Sequence, residues 1–121
     1  MKFSNFLNYF LITILIFGST AVFAEISRQD KQYNDYVSQS FDHINKKEYP
    51  LAERKLRNAI FVKSAEPVAY KLLAMLYETQ NESFDAIKAW NDYIMRLDPS
   101  KTEEINDAQK HIERLEGLKN E

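Results

Sequence analysis

The stretch that decides the fold is YKLLAMLYETQN, residues 70–81. Its large residues Tyr70, Leu73 and Tyr77 recur three and four positions apart, the spacing of one face of an α-helix. The small residue Ala74 lies among them. Two helices approach closely only where a side chain is small. The stretch therefore predicts a helix that crosses a neighbour at Ala74, with aromatic rings filling the space around the contact.

The chain after residue 25 shows the same three- and four-residue spacing of apolar side chains, without the strict alternation of strands. The full sequence has two glycines and three prolines, too few for many short strands joined by tight turns. This spacing of apolar side chains predicts five helices, of which the first runs from about Asp30 to Lys46. The sequence thus predicts an all-α fold.

Short polar breaks separate these helices. Pro50 suits a first helical turn, where its missing N–H costs nothing. Asn81 or Ser83 is expected to cap the fourth helix. Ser100 and Glu103 have the spacing of a capping box at the start of the fifth helix.

The chain also repeats itself with an offset of 34 residues. Residue size is kept at five aligned pairs: Tyr36 with Tyr70, Ser40 with Ala74, Ala74 with Ala108, Ala52 with Ala86, and Leu56 with Trp90. A unit of this length with two helices has the spacing of a known helical repeat. The alternative is an ordinary helical bundle in which the offset arose by chance.

The pattern resembles the tetratricopeptide repeat (TPR) family, which has an aromatic residue, Leu, a small residue and Tyr on its first helix, and Ala then an aromatic residue on its second. Unit two matches closely, with Pro99 one residue late. Unit one is weaker, because Gln39 and His43 replace the expected Leu and Tyr. The matching residues are Tyr36, Ser40, Ala52 and Leu56 in unit one, and Tyr70, Leu73, Ala74, Tyr77, Ala86 and Trp90 in unit two.

This resemblance implies helix-turn-helix repeats stacked as a short right-handed α-solenoid, with unit one at 33–66, unit two at 67–99 and a capping helix with its tail at 100–121. The fifth helix keeps the small residue Ala108 but carries Glu104, Asp107 and His111 at the positions of the large residues of unit two. We expect these polar residues to form the outer face that keeps the end of a solenoid soluble.

Residues 1–24 differ from the rest of the chain. One charge, Lys2, precedes an apolar stretch from Phe6 to Phe17, and small residues lead to Val22-Phe23-Ala24. This order is typical of a secretory signal peptide cleaved after Ala24, with 25–32 as a linker or the start of the first helix. The alternative is an uncleaved membrane anchor. The sequence predicts an exported protein, periplasmic if the source has two membranes and otherwise secreted.

The family resemblance implies that the first helix of each unit lines a concave groove for another protein. Only Lys71 and Asn45 resemble the residues of TPR carboxylate clamps, so we expect the groove to take an apolar or helical segment instead. The alternative for its apolar members is ordinary core. The groove residues are Val37, Phe41, Ile44, Asn45, Lys71, Met75, Glu78, Ile105, Gln109 and Ile112.

The composition favours binding over chemistry. The net charge of −2 and the lack of a basic run argue against nucleic acid. There is no cysteine, no glycine-rich phosphate loop, and His43 and His111 are far apart in sequence. We therefore expect no enzyme activity, cofactor or metal, and a protein-binding adaptor or assembly accessory. The alternatives are a homodimer formed through the edges of the array and a membrane-anchored domain.

Overall fold

The computed structural model describes residues 2–119, and describes side chains at residues 9, 12, 13 and 18–118. This range contains five α-helices and no strand, which confirms the all-α prediction. The helices are α1 (Lys2–Asn45), α2 (Tyr49–Val62), α3 (Val68–Thr79), α4 (Ser83–Ile94) and α5 (Thr102–Lys119).

The first helix is longer than predicted, because α1 begins at Lys2 and not near Asp30. The stretch 25–32, predicted as a linker or helix start, is helical throughout. It contains no proline, and the lone Gly18 before it disfavours a helix by only about 1 kcal/mol. The chain divides into one compact unit up to Lys31 and another from Gln32. Within the described part of the chain, no helix has both the length and the apolarity to traverse a bilayer.

The second compact unit contains two helical hairpins whose turns have the same backbone. Hairpin one is the end of α1, from residue 32, with α2; hairpin two is α3 with α4. In each turn one residue adopts a left-handed conformation, Lys47 and Asn81, both with φ of 58°. Each turn forms the paired hydrogen bonds of a Schellman motif. The N–H to carbonyl pairs are Lys47 to Ile44 (2.9 Å) and Glu48 to His43 (2.8 Å), then Asn81 to Glu78 (3.0 Å) and Glu82 to Tyr77 (2.9 Å). The backbone thus repeats with the 34-residue offset of the sequence.

The structure at these turns corrects the predicted cap of α4 and confirms the predicted position of Pro50. Neither Asn81 nor Ser83 caps α4: the N-cap is Glu82, without a side-chain hydrogen bond, because Asn81 terminates α3 in the left-handed conformation. Pro50 lies in the first turn of α2, as predicted.

The capping box at the start of α5 is also wrong. The amide of Ser100 donates to Oδ1 of Asp98 at 2.8 Å in a turn, and the Lys101 amide donates to the Asp98 carbonyl at 2.9 Å. Because this turn holds Ser100, α5 begins only at Thr102.

The small residues of the repeat lie where helices meet. Each helix from α2 onward packs against the next, as in arrays of helical repeats. Ser40, Ala52, Ala74, Ala86 and Ala108 are all fully buried, at 0% exposure. The larger repeat residues Leu56, Tyr70, Leu73, Tyr77 and Trp90 are buried around them, while Tyr36 is only half-buried.

Candidate partner-binding groove and the polar clusters beside it

The predicted groove exposes apolar surface at one repeated position. Phe41 on α1 and Met75 on α3 are 46% and 48% exposed, and each follows a fully buried small residue. Gln109, at the same position of α5, is also exposed. The alternative that Phe41 and Met75 belong to the core is therefore wrong for about half of each side chain.

The other apolar groove residues contribute less surface. Val37, Ile44 and Ile112 are half-buried and pack against the core, and Ile105 is half-buried as well. Asn45 is exposed at the end of α1. The four half-buried residues therefore offer less apolar surface to a partner than Phe41 and Met75 do.

Lys71, a predicted groove residue on α3, contacts a side chain of α4. Its Nζ is 5.7 Å from the centre of the Tyr93 ring, a cation–π contact. Beside it is an open depression of about 630 Å³, lined by residues of both charges: Lys71, Glu103, Glu104, Asp107 and Lys110 among them. A partner at this end of the groove would meet polar groups.

Glu78 was predicted to line the groove, but its carboxylate forms hydrogen bonds within the protein. Oε1 accepts from Nε1 of Trp90 at 2.6 Å and lies 2.8 Å from Nδ1 of His111, and Oε2 accepts from Arg114. Burial alone would raise the pKa of Glu78, but the hydrogen bonds from Arg114, Trp90 and His111 outweigh burial and lower it. Glu78 therefore joins α3 to α4 and α5.

The polar residues of α5 do not all face outward, which corrects the predicted role of Glu104 and His111. The imidazole of His111 stacks on Trp90, with ring centres 4.5 Å apart. Glu104 accepts a 2.9 Å hydrogen bond from the Tyr93 hydroxyl; burial and this bond raise the pKa of Tyr93 to about 12. Only Asp107 is exposed as expected. Two polar side chains thus dock α5 because each finds a hydrogen-bond partner on α3 or α4.

A second polar cluster joins α2 to α3 and was not predicted. The Tyr77 hydroxyl donates to Glu53 at 2.8 Å and accepts from Arg57 at 2.7 Å, while Arg57 also donates to Glu53 at 2.8 Å. Burial, then the hydrogen bond to Glu53, raises the pKa of Tyr77 to about 12. The i,i+4 spacing of Glu53 and Arg57 was a signal for their pair. Its link to Tyr77 joins residues 24 positions apart.

The titratable groups of these clusters have structural partners. His43 also has a carboxylate partner: its Nδ1 lies 2.7 Å from Oε2 of Glu48 in the turn of hairpin one. No group of three or more metal-ligating side chains occurs among the described residues. What the arrangement does chemically is to hold helices together through charge-assisted hydrogen bonds.

No protein-family model matches the chain, and searches of curated proteins and of solved structures also return no match.

Proposed function

We propose that this chain is an exported, non-enzymatic TPR-like protein that binds another protein through the groove formed by its first helices. It acts as an adaptor or assembly accessory, in the periplasm if the source has two membranes. The observation that carries the proposal is the exposure of Phe41 and Met75, 46% and 48%, at positions one repeat apart. Apolar side chains at a regular spacing suit the apolar face of a partner helix or an extended apolar segment.

The contacts of the charged residues support an apolar partner. Lys71 lies over Tyr93, and Glu78 is held by Trp90, His111 and Arg114. A terminal carboxylate of a partner would have to compete with these contacts. The export part of the proposal rests on the composition of residues 1–24.

Crosslinking tests the groove in intact cells. A photoreactive phenylalanine analogue placed at residue 41 or 75 is expected to capture the same protein. The matched control is the analogue at Phe84, which is 69% exposed in the first turn of α4 and outside the groove. Equal capture from position 84, or no capture from 41 and 75, would count against the groove.

Binding of the captured protein to the purified chain then measures the contribution of each side chain. We expect Phe41→Asp and Met75→Asp each to weaken binding by at least about tenfold, which corresponds to about 1.4 kcal/mol. The reason is that each substitution replaces an apolar contact at the interface with a charge. Phe84→Asp is expected to leave affinity unchanged. The mass of the protein purified from cells checks export, since cleavage after Ala24 removes residues 1–24.

A further inference from the structure

A cavity lies between the second helices of the two hairpins, and none of the predicted groove residues lines it. It has a volume of about 350 Å³, with Arg57, Ile60 and Phe61 of α2 on one side and Asp85, Lys88 and Ala89 of α4 on the other. Tyr70, Leu73 and Tyr77 of α3 line it as well. The cavity thus has an aromatic and aliphatic base and charged edges.

Phe61 stands at the edge of this cavity without filling it. Its side chain is 92% exposed, the highest value among the large apolar residues of the described chain. A single exposed apolar residue is ordinary on a protein surface. Phe61 differs because it borders an aromatic-lined cavity of a size that can receive a ring. Aromatic side chains inserted in pockets supply much of the energy of protein interfaces.

The charges at the cavity are balanced within one short patch. Asp92 pairs with Arg96, and Arg57 pairs with Glu53. Asp85 and Lys88 are exposed, and among the described contacts neither has an ion-pair partner. They are three residues apart on α4, so both face the same side of the helix. One positive and one negative charge side by side form a patch that is complementary to itself when rotated by a two-fold axis.

We propose that this α2–α4 face binds a second copy of the chain in a two-fold dimer. A two-fold interface uses the same patch on both subunits, so the patch must be self-complementary. Here the patch carries both the projecting ring and the cavity that receives it. Phe61 of each copy enters the cavity of the other, and Lys88 of each copy pairs with Asp85 of the other. This interface is separate from the array edges considered from the sequence, and Phe41 and Met75 do not line its cavity.

Sedimentation equilibrium on the full chain, in whichever processed form cells deliver it, tests the dimer. We expect the wild-type chain to be dimeric at about 100 micromolar, and Phe61→Ala to weaken self-association at least about tenfold, which is about 1.4 kcal/mol, because an aromatic ring inserted in a pocket is an anchor of the interface. The control Phe84→Ala removes an equally large exposed ring from outside the cavity and is expected to change it less than about twofold. The variants differ from the wild type only at the substituted residue, so any association through another segment is common to all of them.

Charge exchange tests the orientation of the two copies. Lys88→Glu and Asp85→Lys are each expected to weaken the dimer, because each places like charges opposite one another. The double variant carrying both changes restores the two pairs and is expected to recover the wild-type dissociation constant within about threefold. A monomeric wild-type chain, an equal effect of Phe61→Ala and Phe84→Ala, or no recovery in the double variant would overturn the proposal. A monomer that instead needs Phe61 to bind a different protein would assign the face to that protein. None of these results alters the crosslinking outcome at residues 41 and 75, so the two proposals fail separately.

Discussion

Hairpin one and hairpin two share a backbone turn but differ in the side chains packed behind it. Both have fully buried small residues at matching positions, and both place a left-handed residue at the end of the first helix. Hairpin two buries Leu73 and Tyr77, whereas Gln39 is exposed and His43 is half-buried at the same positions of hairpin one. The comparison teaches that small residues and the turn set the path of the backbone. The large residues of the repeat can be replaced where another contact, such as His43 with Glu48, takes their place.

The largest loss of stability is expected when a small residue at a helix crossing is replaced by a large one. Ala74→Leu forces a larger side chain into a site with 0% exposure, and overpacking of this kind destabilises by about 3 kcal/mol. Urea unfolding followed by circular dichroism measures the change. The matched control, Met75→Leu at the next and half-exposed position, is expected to stay within about 0.5 kcal/mol. Equal effects at both positions would show that close approach at Ala74 does not determine the packing.

A smaller loss of stability is expected at Glu78, through which hairpin two is joined to α5. Glu78→Gln removes the charge that accepts from Trp90, His111 and Arg114, and hydrogen bonds to charged groups contribute about 1.5–3 kcal/mol. We expect a loss of about 2 kcal/mol at pH 7 in urea unfolding. Glu113→Gln, an exposed control on α5, is expected to change stability by less than about 0.5 kcal/mol.

The pH dependence of the Glu78→Gln effect follows from the same contacts. The folded protein lowers the pKa of Glu78 below 4.5, so its ionised form stabilises the fold above the unfolded pKa, and this contribution is lost as the pH falls through the folded value. The difference between wild type and Glu78→Gln should therefore shrink below about pH 4.5. A difference that persists unchanged in acid would show that the carboxylate charge is not its source.

The smallest expected effect compares the two turns directly. Lys47 and Asn81 both have φ of 58°, a conformation that glycine adopts without cost and asparagine tolerates better than lysine. Lys47→Gly is expected to stabilise the protein by about 1 kcal/mol, and Asn81→Gly by less than about 0.5 kcal/mol. Thermal unfolding of both variants measures the difference. If Asn81→Gly stabilises the protein as much as Lys47→Gly does, the cost of the left-handed conformation does not depend on the residue in the way this prediction assumes.

Local spacing was enough to predict the helices, the 34-residue offset and the buried small residues. Periodicity reports which residues of one helix share a face, and Ala74, Ala86 and Trp90 are buried as that argument requires. It carries no information about contacts between distant side chains. The links from Glu78 to His111 and Arg114 span 33 and 36 residues, and polar residues at core positions were therefore assigned to an outer face.

The turns and the groove mark the limits of the sequence in a different way. Asparagine is favoured both as an N-cap and as the left-handed residue that ends a helix, and only the backbone conformation shows which role Asn81 has. Phe41 and Met75 were placed in the groove by resemblance, and their exposure gives them surface to offer a partner.

The stacking of His111 on the single tryptophan has a practical consequence. Trp90 is 1% exposed, its indole stacks on the imidazole of His111 from α5, and both rings contact the Glu78 carboxylate. Any separation of α5 from α4 would remove the imidazole from the indole and admit water to it. The natural fluorescence of the protein is thus a label-free optical report on the packing of α5 against α4.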